Sequence, residues 1–158
     1  MQTVADNAYI AYRSLRGRLT DTLWPPDLDP LAALLLRKIW MNGSSLGIEQ
    51  LRIQLALPKS TLSAALRRLE DRGYLRRYPN IIDARYVDAA LTTPGRRVAS
   101  AVTDLIGDLE DDVHDAAGGQ ARYGFDRVAW ALAAMDEETE AYAPLRDEAD
   151  WRLGDAAD

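Results

Sequence analysis

The residues best suited to chemistry lie in one stretch, Lys59-Ser60-Thr61-Leu62-Ser63-Ala64-Ala65-Leu66-Arg67-Arg68-Leu69-Glu70. At 100° per residue, Leu62, Ala65, Leu66 and Leu69 share one helical face. Ser60, Ala64 and Arg67 lie opposite, with Thr61, Ser63 and Arg68 on the shoulders. Small hydroxyl side chains let a helix end approach base edges closely, while Lys59, Arg67 and Arg68 offer phosphate contacts or bidentate guanine recognition. Unpaired N–H groups at the helix start also suit a phosphate. A solvated amphipathic helix with ordinary surface charges would show the same periodicity, so this helix alone does not decide between the two.

The elements around it do more. A short helical run at Ile48-Glu49-Gln50-Leu51 leads into a turn at Ala56-Leu57-Pro58, and Gly73 stops the next helix. Strand-like stretches at 74–78 and 85–91 then flank a polar tip. Helix, turn, helix and hairpin in that order predict a winged helix-turn-helix over residues 30–97. The flanks read as helices. Val4, Ala8, Ala11, Leu15, Leu19 and Leu23 recur at three-to-four spacing over 3–23. Asp29-Pro30 and Thr92-Thr93-Pro94 are helix starts, the first leading to Leu31, Leu34, Leu35 and Ile39 and the second to a long helix that Gly118-Gly119 breaks. A last helix is expected over 122–140. The expected fold class is mainly α with a small β-hairpin, a winged helix-turn-helix domain plus a helical dimerisation region from both chain ends. Residues 1–29 would form the N-terminal dimerisation helix, and 98–158 the long helix, a C-terminal dimerisation helix and an acidic tail. Leu15, Leu19, Leu109, Val113, Phe125, Val128 and Leu132 are the expected homodimer contacts, with intrachain packing of the same residues as the alternative. A symmetric dimer matches palindromic DNA.

Charge is unevenly spread. The chain carries 19 Lys/Arg and 25 Asp/Glu, net −6. Residues 51–97 hold ten Lys/Arg against four acids, +6, and the remainder nine against 21, −12. A basic module in an acidic body is the pattern for a protein that meets a polyanion with one face only. Cysteine is absent, which removes disulfides and thiolate chemistry together. No run approaches the ~20 apolar residues of a membrane span and no signal-type segment opens the chain, so the cytoplasm is the expected location. The single histidine, His114, stands one turn from Asp111; that pair could ligate a metal or exchange a proton, but a solvated helix surface accounts for it as well. No phosphate-binding glycine loop accompanies it. Neither an enzyme nor a cofactor or metal is expected.

Residues 30 to about 115 resemble the MarR (multiple-antibiotic-resistance regulator) family of winged-helix regulators. The resemblance rests on Ser60-Thr61-Leu62-Ser63 with Leu66, Arg67-Arg68-Leu69-Glu70 and Arg72-Gly73, on Asp83-Ala84-Arg85 as the wing's D-x-R, and on Leu91-Thr92-Thr93-Pro94-Gly95 as the L-T-x-x-G that opens the following helix. It implies that Arg85 enters a minor groove, braced by Asp83, while the helix from Lys59 lies in the major groove; a local ion pair that ties the hairpin is the alternative role for those two. It further implies a transcriptional repressor that binds a pseudo-palindromic operator as a homodimer. Release by a small aromatic or anionic effector is also implied, with Tyr9, Tyr12, Arg13, Arg16 and Trp40 as candidate lining; plain core packing of the aromatics and solvation of the arginines is the other reading. A winged-helix dimer that acts through a protein partner rather than DNA is the alternative for the whole. The chain departs from the family pattern at Arg52, Ala56, Pro58, Ala64 and the apolar wing tip Pro79-Asn80-Ile81-Ile82. Ala56, in place of glycine, predicts a turn that is harder to make.

Overall fold

The structure is a computed structural model that describes residues 3–22, 28–119, 124, 125, 127–129 and 131. In chain order the elements are α1 (Val4–Thr22), α2 (Pro30–Met41), β1 (Ser45–Gly47), α3 (Ile48–Gln54), α4 (Lys59–Asp71), β2 (Leu75–Pro79), β3 (Val87–Leu91) and α5 (Thr93–Ala117). The helix-turn-helix and its hairpin are present. The expected strands move by one or two residues, because the tip takes in Arg85 and Tyr86. A third strand, β1, joins the hairpin in the order β1-β3-β2, both pairs antiparallel. The sheet is therefore larger than the hairpin expected from sequence. Of the helix expected over 122–140, residues 124, 125, 127–129 and 131 are helical; Leu132 lies outside the described residues.

The helix starts form as their sequences dictate. Asp29 caps α2, its Oδ1 accepting from the Ala32 N–H at 2.9 Å, with Pro30 in the first turn. Thr92 caps α5 through the Gly95 N–H at 3.1 Å. Three successive helices end alike. After α2, α3 and α4 the chain turns through a left-handed residue, at Gly43, Ala56 and Gly73, and the two N–H groups that follow the cap return to the last turn. For α4 these are Gly73 N–H to Glu70 C=O at 2.8 Å and Tyr74 N–H to Leu69 C=O at 3.0 Å. For α3 they are Ala56 N–H to Ile53 C=O at 3.3 Å and Leu57 N–H to Arg52 C=O at 3.0 Å. Ala56 makes this turn at φ +51°, where an L-residue is strained and glycine is not.

One core holds the module together. Leu35, Leu36 and Ile39 of α2, Leu51 of α3, Leu62, Leu66 and Leu69 of α4, Leu75 of β2 and Val102 of α5 are fully buried. α5 packs along α2, and α1 touches α2. On the sheet, Leu75 pairs with Leu91, and Ala89 lies opposite both Arg77 and Leu46. That register sends Leu46, Leu75, Ala89 and Leu91 inward together; a slip of one residue would expose all four. Among the described residues no helix is long and apolar enough to cross a membrane.

Candidate nucleic-acid interface

α4 buries Leu62, Ala65, Leu66 and Leu69 and exposes Lys59, Ser60, Thr61, Ser63, Ala64, Arg67 and Arg68. The hydroxyl and basic residues therefore share a solvent-facing surface at the start and middle of one rigid helix. Pro58 precedes it and supplies no side-chain cap, so the first N–H groups of α4 are not claimed by a capping side chain. Lys59, Arg67 and Arg76 form no ion pair among the described residues, whereas Arg68 stands 3.8 Å from Asp29, a long and exposed contact. Arg52 lies with only 17% of its side chain exposed and bonds Glu49 at 2.9 Å through Nε, which holds that carboxyl below its ordinary pKa. Its head is held by a carboxylate one turn away on α3 and does not run free into solvent.

At the wing, Arg85 donates from Nε to Asp83 Oδ1 at 3.0 Å and from Nη2 to Oδ2 at 2.7 Å, a two-pronged pair. Its own backbone N–H also reaches Asp83 Oδ1 at 3.0 Å. The Arg85 side-chain bonds, helped by that backbone bond, hold the Asp83 carboxyl below its ordinary value and raise the guanidinium's own. The Arg85 side chain is 85% exposed, so the brace fixes its direction and leaves it open to a partner.

Two supporting residues were missed by the sequence reading. Asn80 accepts from the N–H of Ile82 at 2.8 Å and of Asp83 at 3.0 Å, and donates to Asp88 at 2.8 Å. It thus builds the tip that carries Asp83, and an asparagine three residues before an aspartate at a turn was the available signal. Glu70, near the end of α4, accepts from Arg77 Nε at 2.9 Å, so β2 is tied to α4. The Arg77 hydrogen bonds keep the Glu70 carboxyl below its ordinary pKa. Nothing in a spacing of seven announces that pair.

The expected effector groups divide between two helices, with Tyr9, Tyr12, Arg13 and Arg16 on one face of α1 and Trp40 on α2. Tyr9, Tyr12, Arg13 and Arg16 on α1 are exposed, and Trp40 is half-buried against the core. Leu109 is half-buried, while Val113, Phe125 and Val128 are exposed. Leu15 and Leu19 lie within α1. His114 is exposed on α5, and among the described residues no three histidine or acidic side chains gather as metal ligands.

Residues 28–87 match the MarR family. No curated protein matches the chain. Among solved structures, MepR of Staphylococcus aureus in its DNA-binding conformation is 18% identical with a TM-score of 0.71, over 85% of this chain and 100% of that one. A mutant of Escherichia coli MarR complexed with operator DNA is 20% identical, TM-score 0.64, over 82% and 92%. BpsR of Bordetella bronchiseptica, whose DNA binding is regulated by 6-hydroxynicotinic acid, is 16% identical, TM-score 0.67, over 85% and 96%. At these identities the structures speak for the fold. Together with the match over 28–87, they identify the winged-helix module as a MarR-family domain, within a chain that has the fold of the MarR-type regulators.

Proposed function

We propose that this protein is a DNA-binding transcriptional regulator, a repressor, that grips a pseudo-palindromic operator as a homodimer. The observation that carries the reading is the exposed hydroxyl and basic face of α4, taken with the exposed, Asp83-braced Arg85 of the wing. α4 would lie in the major groove and Arg85 in the adjacent minor groove, whose narrow form concentrates negative potential. The two related proteins in DNA-binding or operator-bound form support the same assignment. Residues 30–97 would be the DNA-binding domain; 1–29 and 98–158 would supply the dimer. Half-sites would lie ~10 bp apart or a multiple of that. Selection of bound fragments from the source genome, followed by titration in increasing salt, tests this. Binding should weaken steeply with salt, and Lys59→Ala should lower the salt slope by roughly one on most sequences. Affinity for the selected DNA that ignores ionic strength would overturn the reading in favour of a protein partner.

The effector reading draws on BpsR, regulated by a hydroxylated aromatic acid. Tyr9, Tyr12, Arg13 and Arg16 on α1, with Trp40 on α2, provide aromatic and cationic groups suited to such a ligand. A ligand releases DNA only by binding one dimer geometry better than another. Titration with salicylate tests it: Trp40 emission and DNA affinity should change together, and no change in either at millimolar ligand removes the site.

A further inference from the structure

Ile81 and Ile82 at the wing tip are each 95% exposed, while the other exposed large hydrophobic residues among those described lie between 37% and 65%. The segment that presents them is built, not slack. Asn80 pins the N–H groups of Ile82 and Asp83 with its side-chain oxygen and is itself held by Asp88. Backbone bonds close the base of the tip, from Asn80 N–H to Tyr86 C=O at 2.9 Å and from Tyr86 N–H to Asp83 C=O at 3.0 Å. Both exposed residues are β-branched and stiff at χ1, so little rotamer freedom is lost when they are gripped. Arg85, three residues beyond Ile82 and held at a fixed angle by Asp83, gives this apolar apex a cationic shoulder.

On a protein that grips DNA, an apolar point beside an outward arginine suits a minor groove, with phosphate potential at its walls and apolar base faces once a step is opened. Minor-groove proteins that drive isoleucine, leucine or phenylalanine between base pairs unstack a step and kink the duplex by roughly 20–90°. We propose that Ile81 and Ile82 are a DNA-kinking wedge, inserted at a deformable pyrimidine–purine step next to the Arg85 contact. The proposal rests on the DNA-binding reading and adds to it a distortion of the duplex and a preference at a step whose edges need not be read. TA and CA/TG steps are the least costly to open and would be favoured there.

The test uses the full-length protein and its genome-selected duplex, with 2-aminopurine beside the step protected by the wing and dyes at both ends. The wild-type protein should raise 2-aminopurine emission several-fold and shorten the end-to-end distance. The variant Ile81→Ser/Ile82→Ser alters two solvent-exposed side chains and should retain salt-sensitive binding through α4, yet lose both signals. Replacing the step with GC should weaken the wild type about tenfold and the variant hardly at all. A variant that binds more weakly while the wild type never unstacks the base would overturn the wedge in favour of contact with the sugar walls. Equal affinity, bend and emission for both proteins would overturn it outright. Absence of DNA binding by the wild type would remove the DNA reading and the wedge together.

Discussion

Asp83 is held by Arg85, and its pH behaviour follows from which form each bond favours. The guanidinium and the Arg85 N–H stabilise the carboxylate, so its folded pKa lies below the usual aspartate value of 3.8. The stabilisation is fully present above that value and disappears as pH falls through the lower folded one. In Arg85→Ala the Asp83 midpoint, read by carboxyl carbon resonance, should climb toward 3.8 while keeping the part due to the backbone N–H. A midpoint that does not move would assign the whole effect to the backbone. The same substitution should weaken operator binding by about 1–3 kcal/mol. Ala56 offers a second residue-scale test. Its left-handed turn costs an L-residue roughly 1–2 kcal/mol, and glycine gives back about half of that in chain entropy, so Ala56→Gly should stabilise the protein by about 0.5–1 kcal/mol in urea unfolding. The strain was legible from sequence, because the turn's position was fixed by the helices on either side. The Asp83–Arg85 pair was legible too, since two residues at i and i+2 meet without help from the rest of the chain.

Among the described glycines the tightest surroundings are those of Gly95 in α5, against Tyr74 just before β2. A Cβ at Gly95 would sit 1.7 Å from the Tyr74 carbonyl oxygen and 2.7 Å from its carbon, both backbone atoms with no freedom to yield. The glycine of the L-T-x-x-G segment is there because nothing larger fits. Gly95→Ala should therefore destabilise by ~3 kcal/mol or more. Gly107, in the same helix with open space where a Cβ would be, should respond to Gly107→Ala with a gain of about 1 kcal/mol. Loss in both variants would refute the packing argument. Helices were readable because each repeats its apolar residues over several turns. β1 was not, for Ser45-Leu46-Gly47 is too short to alternate and exists only because Leu46 is buried opposite Ala89. Nor was the Arg37–Glu110 contact at 3.2 Å, which joins α2 to α5 across 73 residues and depends on how the two helices align.

For the whole molecule, the apolar residues left over point to a second copy. Ile10 of α1, Val113 of α5, and Phe125 and Val128 are exposed in one chain. An intertwined dimer through these regions should bury ~2,000 Å² or more. Sedimentation at micromolar concentration should give twice the 17.6 kDa chain mass; a clean monomer would end the paired half-site reading. The junction at Thr92 determines how such a dimer would handle DNA. Thr92 caps α5, donates its hydroxyl to the Gly73 carbonyl at 2.6 Å and its N–H to Tyr74 at 3.0 Å. The end of α4 and the root of α5 are welded at one point, with no slack at Gly95. Were α5 to tilt about that weld together with the α2 it packs on, its 25 residues would reach ~37 Å and a tilt of ~5° would move the far end by ~3 Å. Displacement of that size at the dimer end would be geared directly into the pitch of α4, with no hinge between them to absorb it.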